Sequence, residues 1–299
     1  ARQRGPAGFE KQLVIKRILP HYANDEQFIS MFLSEAKTSA QFNHPNLVQI
    51  YELGECEGAY YIAMEYVRGE TLAKCIRRLK QHNLTVPLRV AAKIISAACI
   101  GLDYAHNFND TNGSPLNLVH SDVSPDNILV SYSGGVKLID FGIAKARNAD
   151  AQSQVGSVKG KFCYMSPEQI TGRRLDRRSD IFSLGLVLHE LTTLTKPFGE
   201  GADIQTVNAI VNDPPRRAAD IIEGYPDELS SIIDSCLSKR RDDRYANAHD
   251  LQIALERFIY ANGVILSHRD VGEYVTTLFE GNAHSLSSVR SAESEEASP

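Results

Sequence analysis

The sequence predicts an α+β fold with two lobes, a small β-rich lobe over residues 1–66 and a large helical lobe over residues 67–262. Short runs of β-branched and aromatic residues, bounded by glycine, dominate the first lobe. After Gly69 the apolar positions recur mostly with helical spacing. No internal repeat is evident, so we expect one domain whose two lobes meet at a hinge near residues 64–69.

The small lobe is predicted to contain a strand, a helix and a β-hairpin, in that order. A Gly-Pro-Ala-Gly turn at residues 5–8 precedes the first strand, which is rich in β-branched residues. In the helix the apolar residues keep helical spacing, and Glu35 lies close to their stripe. Gly54 and Gly58 separate the two strands of the hairpin. The predicted bounds are 10–18 for the first strand, 25–42 for the helix, and 47–53 and 59–67 for the hairpin.

The large lobe is predicted to be helical apart from two short strands. Beyond it, Ser267 and Asp270 form a capping-box pattern that opens one more amphipathic helix, which we expect to pack on the large lobe within residues 263–281. Residues 282–299 are mostly serine, alanine and glutamate, which leaves too few apolar side chains to bury and predicts disorder. The predicted helices are 71–81, 88–107, 179–194, 203–212, 227–238 and 247–261, and the strands are 128–132 and 136–139.

The composition is that of an ordinary globular protein, with 42% apolar residues, 23% charged residues and a formal net charge of -5. This balance gives no support to nucleic acid or an anionic membrane as the main partner. The five cysteines have no paired spacing, which indicates reduced thiols in a cytoplasmic location rather than disulfides or a zinc site. No apolar stretch approaches about 20 residues, so no membrane segment is predicted in this chain. The first residue is alanine rather than methionine, which is compatible with a segment upstream of it. The sequence does not determine the oligomeric state.

The most specific pattern is His-Ser-Asp-Val-Ser-Pro-Asp-Asn at residues 120–127, followed by Asp-Phe-Gly at 140–142. It resembles the protein kinase motifs H-R-D-x-x-x-x-N and D-F-G, as found in eukaryotic-like (Hanks-type) bacterial serine/threonine kinases. The resemblance implies that Asp122 accepts the proton of the substrate hydroxyl. It also implies that Asn127 and Asp140 provide oxygen ligands to Mg²⁺, or to Mn²⁺, on the phosphates of ATP. The alternative, a solvated loop of ordinary turn residues, is a poor explanation for so many residues in register.

Further residues match the same family along most of the chain, and they imply its two-lobed protein-kinase-like fold. Lys16 resembles the strand lysine that holds the α- and β-phosphates, and Glu35 resembles its ion-pair partner. Taken alone, either residue would be an ordinary solvated charge. Ser-Pro-Glu at 166–168 resembles the A-P-E motif, which implies a buried ion pair between its glutamate and Arg244. Asp180 resembles the aspartate at a helix start that anchors the catalytic loop.

An adenine pocket is also assigned from the resemblance. Met64 is similar to the residue that gates this pocket, and Glu65 and Val67 would offer backbone hydrogen bonds to adenine. Val14 and Leu129 would sandwich the ring. The alternative for the three apolar side chains is plain core, and both interpretations can hold for the same residue.

The sequence departs from the family pattern in its phosphate loop and in its catalytic loop. The glycine-rich loop and the strand before it are missing, because Gly5 and Gly8 lie too close to the strand lysine and lack the G-x-G-x-x-G spacing. We therefore expect a chain truncated at its amino end, with the ATP affinity and turnover of the given chain left open. Ser121 replaces the arginine that normally reads a phosphate on the activation segment, so phosphate on Ser153 or Ser157 is expected to matter little.

A third departure is an exchanged pair of residues near the catalytic aspartate. Ser124 stands where serine/threonine kinases have a lysine that touches the γ-phosphate, and Lys161 stands where they have a threonine of the activation segment. We expect the Lys161 ammonium to reach the γ-phosphate and Asp122, while the Ser124 hydroxyl supplies the lost hydrogen bond. A Lys161 side chain that simply faces solvent is an equal alternative.

Together these matches predict a protein serine/threonine kinase that uses ATP to phosphorylate protein substrates in signalling. Asp126 stands where tyrosine kinases carry arginine, so the tyrosine-kinase signature is absent. The first alternative is a pseudokinase, a binding or scaffold module of the same fold. The departures in the loops argue for it. Against it stands the retention of the family's site residues, namely Lys16, Glu35, Asp122, Asn127 and Asp140. A small-molecule kinase is more distant, because it lacks the Ser-Pro-Glu segment and the Asp180 helix, and a helical repeat protein is weaker still.

Overall fold

A four-stranded antiparallel sheet with one helix forms the amino-terminal part of the chain, and a helical lobe follows, so the predicted two-lobed α+β fold is confirmed. The computed structural model describes residues 1–22, 25–110, 112–141, 161–201, 203–261, 263 and 265–280. The strands are β1 (Arg2–Arg4), β2 (Glu10–Arg17), β3 (Ile50–Cys56), β4 (Ala59–Glu65), β5 (Gly69–Thr71), β6 (Ile128–Ser131) and β7 (Val136–Leu138). The helices are α1 (Glu26–Ser39), α2 (Leu72–His82), α3 (Leu88–His106), α4 (Pro167–Ile170), α5 (Arg178–Thr193), α6 (Ile204–Asn212), α7 (Asp227–Cys236), α8 (Ala248–Tyr260) and α9 (His268–Glu280).

The sheet of the small lobe has the strand order β1-β2-β4-β3, and each neighbouring pair is antiparallel. In the register between β2 and β4, Lys16 lies opposite Ile62 and Val14 lies opposite Met64. Because successive strand side chains point to opposite faces, Val14 and Lys16 share one face of β2. Helix α1 packs on the sheet around a small core made of Ile18, Phe32, Ala36 and Ile62.

The large lobe is built around α5, in which residues 179–193 are all buried. A helix enclosed on every side in this way needs no polar face. It packs against α3 and α7, and α3 in turn packs along α8. The three-stranded antiparallel sheet β5-β6-β7 also belongs to this lobe, and β7 lies on α3. The first turn of α5 carries Asp180. The packing places this residue beneath the catalytic loop, residues 120–127.

Two strands, β1 and β5, were not predicted from the sequence pattern. β1 reads Arg-Gln-Arg with all three residues exposed, so it has no apolar alternation to detect. It is extended because its backbone pairs with β2, where Arg4 lies opposite Glu10. β5 is held in the same way by β6, with Gly69 opposite Ser131. The turn at residues 5–8 lies between β1 and β2.

The segment 40–49 corrects the predicted ends of two elements. Phe42 and Leu47 are each only 2% exposed, and both belong to the core of the large lobe rather than to that of the small lobe. The backbone N–H of Val48 donates to the carbonyl oxygen of Leu138 at 3.0 Å. These apolar residues therefore make the contact between the lobes, and for this reason α1 ends earlier and β3 begins later than the sequence predicted.

Helix α9 begins with the predicted cap. The Ser267 backbone N–H and hydroxyl both donate to Asp270 Oδ2 at 2.6 Å, and the Asp270 N–H donates back to Ser267 Oγ at 3.4 Å. The helix packs against α2, α3 and β6, which belong to the large lobe. The predicted disorder of 282–299 falls outside the described residues. Within the described part of the chain, no helix has the length and apolar character needed to cross a membrane.

Candidate active site

Lys16, Glu35 and Asp140 form a group of charges where the two lobes meet. Lys16 Nζ lies 3.2 Å from Glu35 Oε1 and 2.7 Å from Asp140 Oδ1. β2 supplies the lysine and α1 supplies the glutamate, and Asp25 caps α1 by accepting a 3.0 Å hydrogen bond from the Phe28 N–H. Burial alone would lower the pKa of Lys16, but the two carboxylates outweigh burial and raise that pKa. The ammonium is therefore charged and linked to both carboxylates.

A buried histidine shapes the catalytic loop. His120 Nδ1 accepts a hydrogen bond from the Asp122 backbone N–H at 3.3 Å, so the ring proton sits on Nε2, which donates to the carbonyl oxygen of Ile139 at 3.1 Å. Burial lowers the pKa of His120, which favours the same neutral ring. Asp180 accepts hydrogen bonds of 2.8 Å from the backbone N–H groups of His120 and Ser121. The loop that carries Asp122 is thus fixed from both sides.

Asp122 and Asn127 are joined directly. Asn127 Nδ2 donates to Asp122 Oδ2 at 3.1 Å and to the Asp122 carbonyl oxygen at 2.8 Å. Because the amide nitrogen is engaged by the aspartate, the amide oxygen is the atom of Asn127 suited to a metal ion. The Ile139 N–H donates to the Asn127 carbonyl oxygen at 3.0 Å, which ties Asn127 to the residue before Asp140. The structure therefore brings Asp122, Asn127 and Asp140 into one neighbourhood.

The backbone on either side of these groups is unusual. Ser121 has φ +58° and Asp140 has φ +54°, which is the left-handed region that residues with a Cβ seldom adopt. A residue held in this backbone conformation costs about 1–3 kcal/mol of folding free energy, and such residues cluster at functional sites. Phe141 anchors the backbone next to Asp140. Its side chain is 3% exposed, and its ring centroid lies 5.1 Å from that of Phe42 and 4.4 Å from that of His120.

A family model described as "Protein kinase domain" matches residues 7–255, which is well over half of the chain. The chain belongs to the protein kinase family. Membership implies the use of ATP with a divalent metal ion and proteins as substrates. The small-molecule kinase and helical repeat alternatives do not hold.

Curated relatives agree with this family assignment. The chain is 42% identical over 255 residues to a protein of Myxococcus xanthus named "Tyrosine-protein kinase MasK". It is 35% identical over 244 residues to "Serine/threonine-protein kinase PrkC" of Bacillus subtilis and 33% identical over 252 residues to "Serine/threonine-protein kinase PknB" of Mycobacterium leprae. These matches cover 85%, 81% and 83% of this chain but only 40%, 36% and 39% of the relatives, so the chain spans less than half of their length.

Solved structures share the fold. A double mutant of the PknI kinase domain of Mycobacterium tuberculosis matches with a TM-score of 0.60 at 25% identity, over 85% of this chain and 87% of that one. The unmutated PknI kinase domain also matches with a TM-score of 0.60, at 24% identity, over 86% of this chain and 93% of that one. The kinase fold observed here is therefore that of known bacterial kinase domains.

The kinase domain contains a buried ion pair beneath the site. Arg244 Nη1 and Nη2 donate to the two carboxylate oxygens of Glu168 at 2.8 and 3.0 Å, and the Ser179 hydroxyl donates to Glu168 Oε1 at 2.6 Å. Burial would raise the pKa of Glu168, but the hydrogen bonds from Arg244 outweigh it and lower that pKa. The pair lies where the resemblance to the family places it.

Other contacts near the site were missed by sequence reasoning. Gln169 Nε2 donates to the Ser121 carbonyl oxygen at 2.8 Å, which connects α4 to the catalytic loop. The Tyr164 hydroxyl donates to Glu190 Oε2, and Lys80 Nζ lies 3.2 Å from Glu190 Oε1. Their partners are distant in sequence. Tyr164 and Gln169 flank the Ser-Pro-Glu motif at 166–168, which does not by itself indicate these contacts, and Lys80 and Glu190 lie beside no recognised motif.

The predicted adenine side lies along three strands. Val14 is exposed, and Met64 and Leu129 are half-buried, so none of the three belongs only to the core. The Glu65 side chain was not assigned a part by the sequence, but its Oε2 lies 2.9 Å from Lys137 Nζ. This ion pair connects the end of β4 in the small lobe with β7 in the large lobe. Val67 follows in the segment between β4 and β5.

The exchanged pair is described only in part. Ser124 is 3% exposed, and its hydroxyl has no hydrogen-bond partner among the described residues. The side chain of Lys161 lies outside what the structure describes, as do Ser153 and Ser157. The proposed contact between Ser124, Lys161 and Asp122 therefore stays a prediction.

Proposed function

We propose that the chain is a cytoplasmic kinase domain that transfers the γ-phosphoryl group of ATP to serine or threonine hydroxyls of protein substrates in signalling. The observation that carries this proposal is Lys16 bound to both Glu35 and Asp140, beside the Asp122–Asn127 pair. A binding module of the same fold needs neither group in this arrangement, which supports an enzyme over a pseudokinase. The five free thiols suit a reducing compartment.

Each charged group has a separate task in this proposal. Asp122 would accept the proton of the attacking hydroxyl while the new oxygen–phosphorus bond forms and ADP leaves. Lys16 would bind the α- and β-phosphates, and Glu35 would hold the lysine in position. The hydrogen bond from Asn127 would orient the Asp122 carboxylate toward the hydroxyl. Val14, Leu129 and the backbone of Glu65 and Val67 would hold adenine.

Asn127 and Asp140 would hold the metal ion. An amide oxygen and a carboxylate are hard ligands, and Mg²⁺ commonly binds through one or two protein groups together with phosphate oxygens. The donor set therefore fits Mg²⁺, and Mn²⁺ would bind the same ligands. When bound, the metal neutralises charge on the phosphates during transfer.

A tyrosine acceptor is the second candidate, because the 42% identical relative is named a tyrosine-protein kinase. Asp126, where tyrosine kinases carry arginine, favours the serine or threonine hydroxyl instead. Both alternatives use the same catalytic groups, so the acceptor must be measured.

The test uses the full-length protein with radiolabelled ATP and a mixed protein substrate, followed by analysis of the phosphorylated amino acids. We expect label on serine and threonine, and we expect chelation of divalent metal by EDTA to stop the transfer. Label on tyrosine alone would reject the proposed acceptor. No metal-dependent label on any acceptor, with ATP binding retained, would favour the pseudokinase.

We also propose that Lys161 and Ser124 exchange the usual parts of lysine and threonine near the γ-phosphate. The buried Ser124 hydroxyl, which has no partner among the described residues, supports this proposal because it is free to accept or donate a hydrogen bond. A cation about 4 Å from a phosphate charge at an effective dielectric near 20 contributes roughly 4 kcal/mol before desolvation.

Lys161→Thr is expected to lower kcat by roughly 10²- to 10³-fold, because one charge contact to the transition state is lost. Adding Ser124→Lys should restore much of the rate, since it returns the cation from the other side. Steady-state kinetics of the two single variants and the double variant measure the coupling. Unchanged turnover of Lys161→Thr would show that Lys161 faces solvent, and two effects that merely add would show that Lys161 and Ser124 do not compensate for each other.

A further inference from the structure

Helix α9 lies beyond residues 7–255, the region that matches the kinase family, yet it packs against α2, α3 and β6 of the kinase domain. Its buried face is made by Val271, Val275 and Leu278, each 1% exposed. Arg78 Nε, on α2, donates to the Leu278 carbonyl oxygen at 3.2 Å. The helix is therefore fixed at both its apolar face and its carboxyl end.

The backbone of α9 touches the turn between β6 and β7. A Cβ atom on Gly272 would lie 2.6 Å from the Tyr132 carbonyl oxygen and 2.7 Å from the Gly134 nitrogen. A Cβ atom on Gly134, which has φ +85°, would lie 1.6 Å from the His268 carbonyl oxygen. Both positions favour glycine, because a Cβ atom at either one would collide with backbone atoms of the facing segment.

From this turn, hydrogen bonds lead to the hinge. The Tyr132 hydroxyl donates to Glu70 Oε1 at 3.0 Å, and the Tyr132 N–H donates to the Arg68 carbonyl oxygen at 3.0 Å. Glu70 Oε2 also pairs with Lys74 Nζ at 2.8 Å. Burial and the bond to Glu70 raise the pKa of Tyr132 to about 12, so the phenol stays a donor at neutral pH.

The hinge end of these contacts adjoins the predicted adenine pocket. β5 pairs with β6 so that Glu70 lies opposite Val130 and Thr71 lies opposite Leu129. A shift of the turn that holds Tyr132 would therefore move the strand that carries Leu129. Lys16 and Glu35, by contrast, lie on β2 and α1 in the other lobe, whereas the main contacts of α9 are with α2, α3 and β6.

We propose that α9 is a positioning element for the nucleotide pocket. Its Gly272 contacts Tyr132, and through Tyr132 the helix holds strands β5 and β6 in place. This inference rests on the proposed use of ATP and assigns a part in it to a helix outside the matched kinase region. Release of α9 weakens nucleotide binding more than it slows the chemical step, because Lys16 and Glu35 lie in the other lobe and the loop that carries Asp122 is held by Asp180 and Gln169.

The test compares Gly272→Ala with Glu273→Ala in the full-length protein. Alanine is the better helix former, so Gly272→Ala disturbs docking without weakening the helix itself. Glu273 is exposed and pairs with exposed Arg269 on the same helix, which makes it the matched control. We expect about a three- to tenfold rise in KM for ATP, and in the Kd of a non-hydrolysable ATP analogue with Mg²⁺, for Gly272→Ala alone, with kcat within about twofold.

Tyr132→Phe provides the second arm, because it removes the hydroxyl and keeps the ring. It should raise KM for ATP in the wild-type background but have little further effect in the Gly272→Ala background, since both changes break the same connection. Hydrogen exchange of α9 reports release, and Val275→Asp releases the helix by a different route. The inference would be overturned if α9 is released while KM and Kd for the nucleotide stay unchanged. It would also be overturned if the effects of Gly272→Ala and Tyr132→Phe add, or if neither Gly272→Ala nor Val275→Asp releases the helix. Because analogue binding is measured without transfer, failure of the proposed kinase activity would be seen separately.

Discussion

Asp122→Asn is expected to lower kcat for phosphoryl transfer by about 10²- to 10⁴-fold, the usual contribution of a general base. The amide keeps the shape of the side chain and can still face Asn127, which lies 3.1 Å from Asp122 Oδ2, but it cannot accept the proton of the substrate hydroxyl. Steady-state kinetics with saturating ATP measure the change, and the affinity for the ATP analogue should stay within about threefold, since Asp122 is not assigned to the nucleotide.

Asp126→Asn is the matched control for this prediction. Asp126 lies in the same loop and also carries a carboxylate, but its side chain is exposed and no catalytic part is assigned to it. Its kcat should stay within about twofold of the wild type. Equal losses in the two variants would show that the loop needs negative charge in general, and near-normal turnover of Asp122→Asn would remove Asp122 from the mechanism.

Arg244→Ala is expected to cost about 3–5 kcal/mol of unfolding free energy. The Arg244 side chain is 0% exposed and that of Glu168 is 4% exposed. Removal of the arginine side chain therefore leaves the buried Glu168 carboxylate without its counter-charge. The variant also loses hydrogen bonds to the carbonyl oxygens of Ser238 and Arg178, at 2.7 and 3.0 Å. Urea denaturation at neutral pH measures the change in unfolding free energy.

Arg240→Ala is the control, because this arginine lies four residues away with a side chain that is 78% exposed. Its ion pair with Asp243 spans 3.7 Å at the surface, so its loss should change the unfolding free energy by less than about 0.5 kcal/mol. A cost below about 1 kcal/mol for Arg244→Ala would contradict the prediction, since it would mean that water reaches Glu168 and replaces the arginine.

The local parts of the fold were predictable because their signals lie within a few residues. The strand that became β2, the helix that became α1 and the cap formed by Ser267 and Asp270 each follow from side-chain periodicity or from a side-chain hydrogen bond to nearby backbone. The short strands β1 and β5 had no such signal, because a three-residue polar strand is extended only through the hydrogen bonds of its neighbours.

In the candidate site, too, contacts within one motif could be predicted, whereas contacts between distant segments could not. Asp122 and Asn127 are five residues apart and belong to one motif, so their proximity could be inferred before the structure was seen. The contact of Lys16 with Asp140 spans 124 positions. The ion pair of Glu65 with Lys137 and the support that Gln169 gives to Ser121 also join distant segments and had no motif to indicate them.

By itself the sequence determined the longer helices and strands to within a few residues, which of their faces are apolar, and that the chain carries the motifs of a protein kinase. Only the tertiary structure decided that Phe42 and Leu47 belong to the core of the large lobe, that Glu65 pairs with Lys137, and that Gly272 lies against the turn that holds Tyr132. The physical reason is that periodicity shows that a face must be buried, whereas the partner of that face is selected by shape and by hydrogen bonds between segments far apart in the chain.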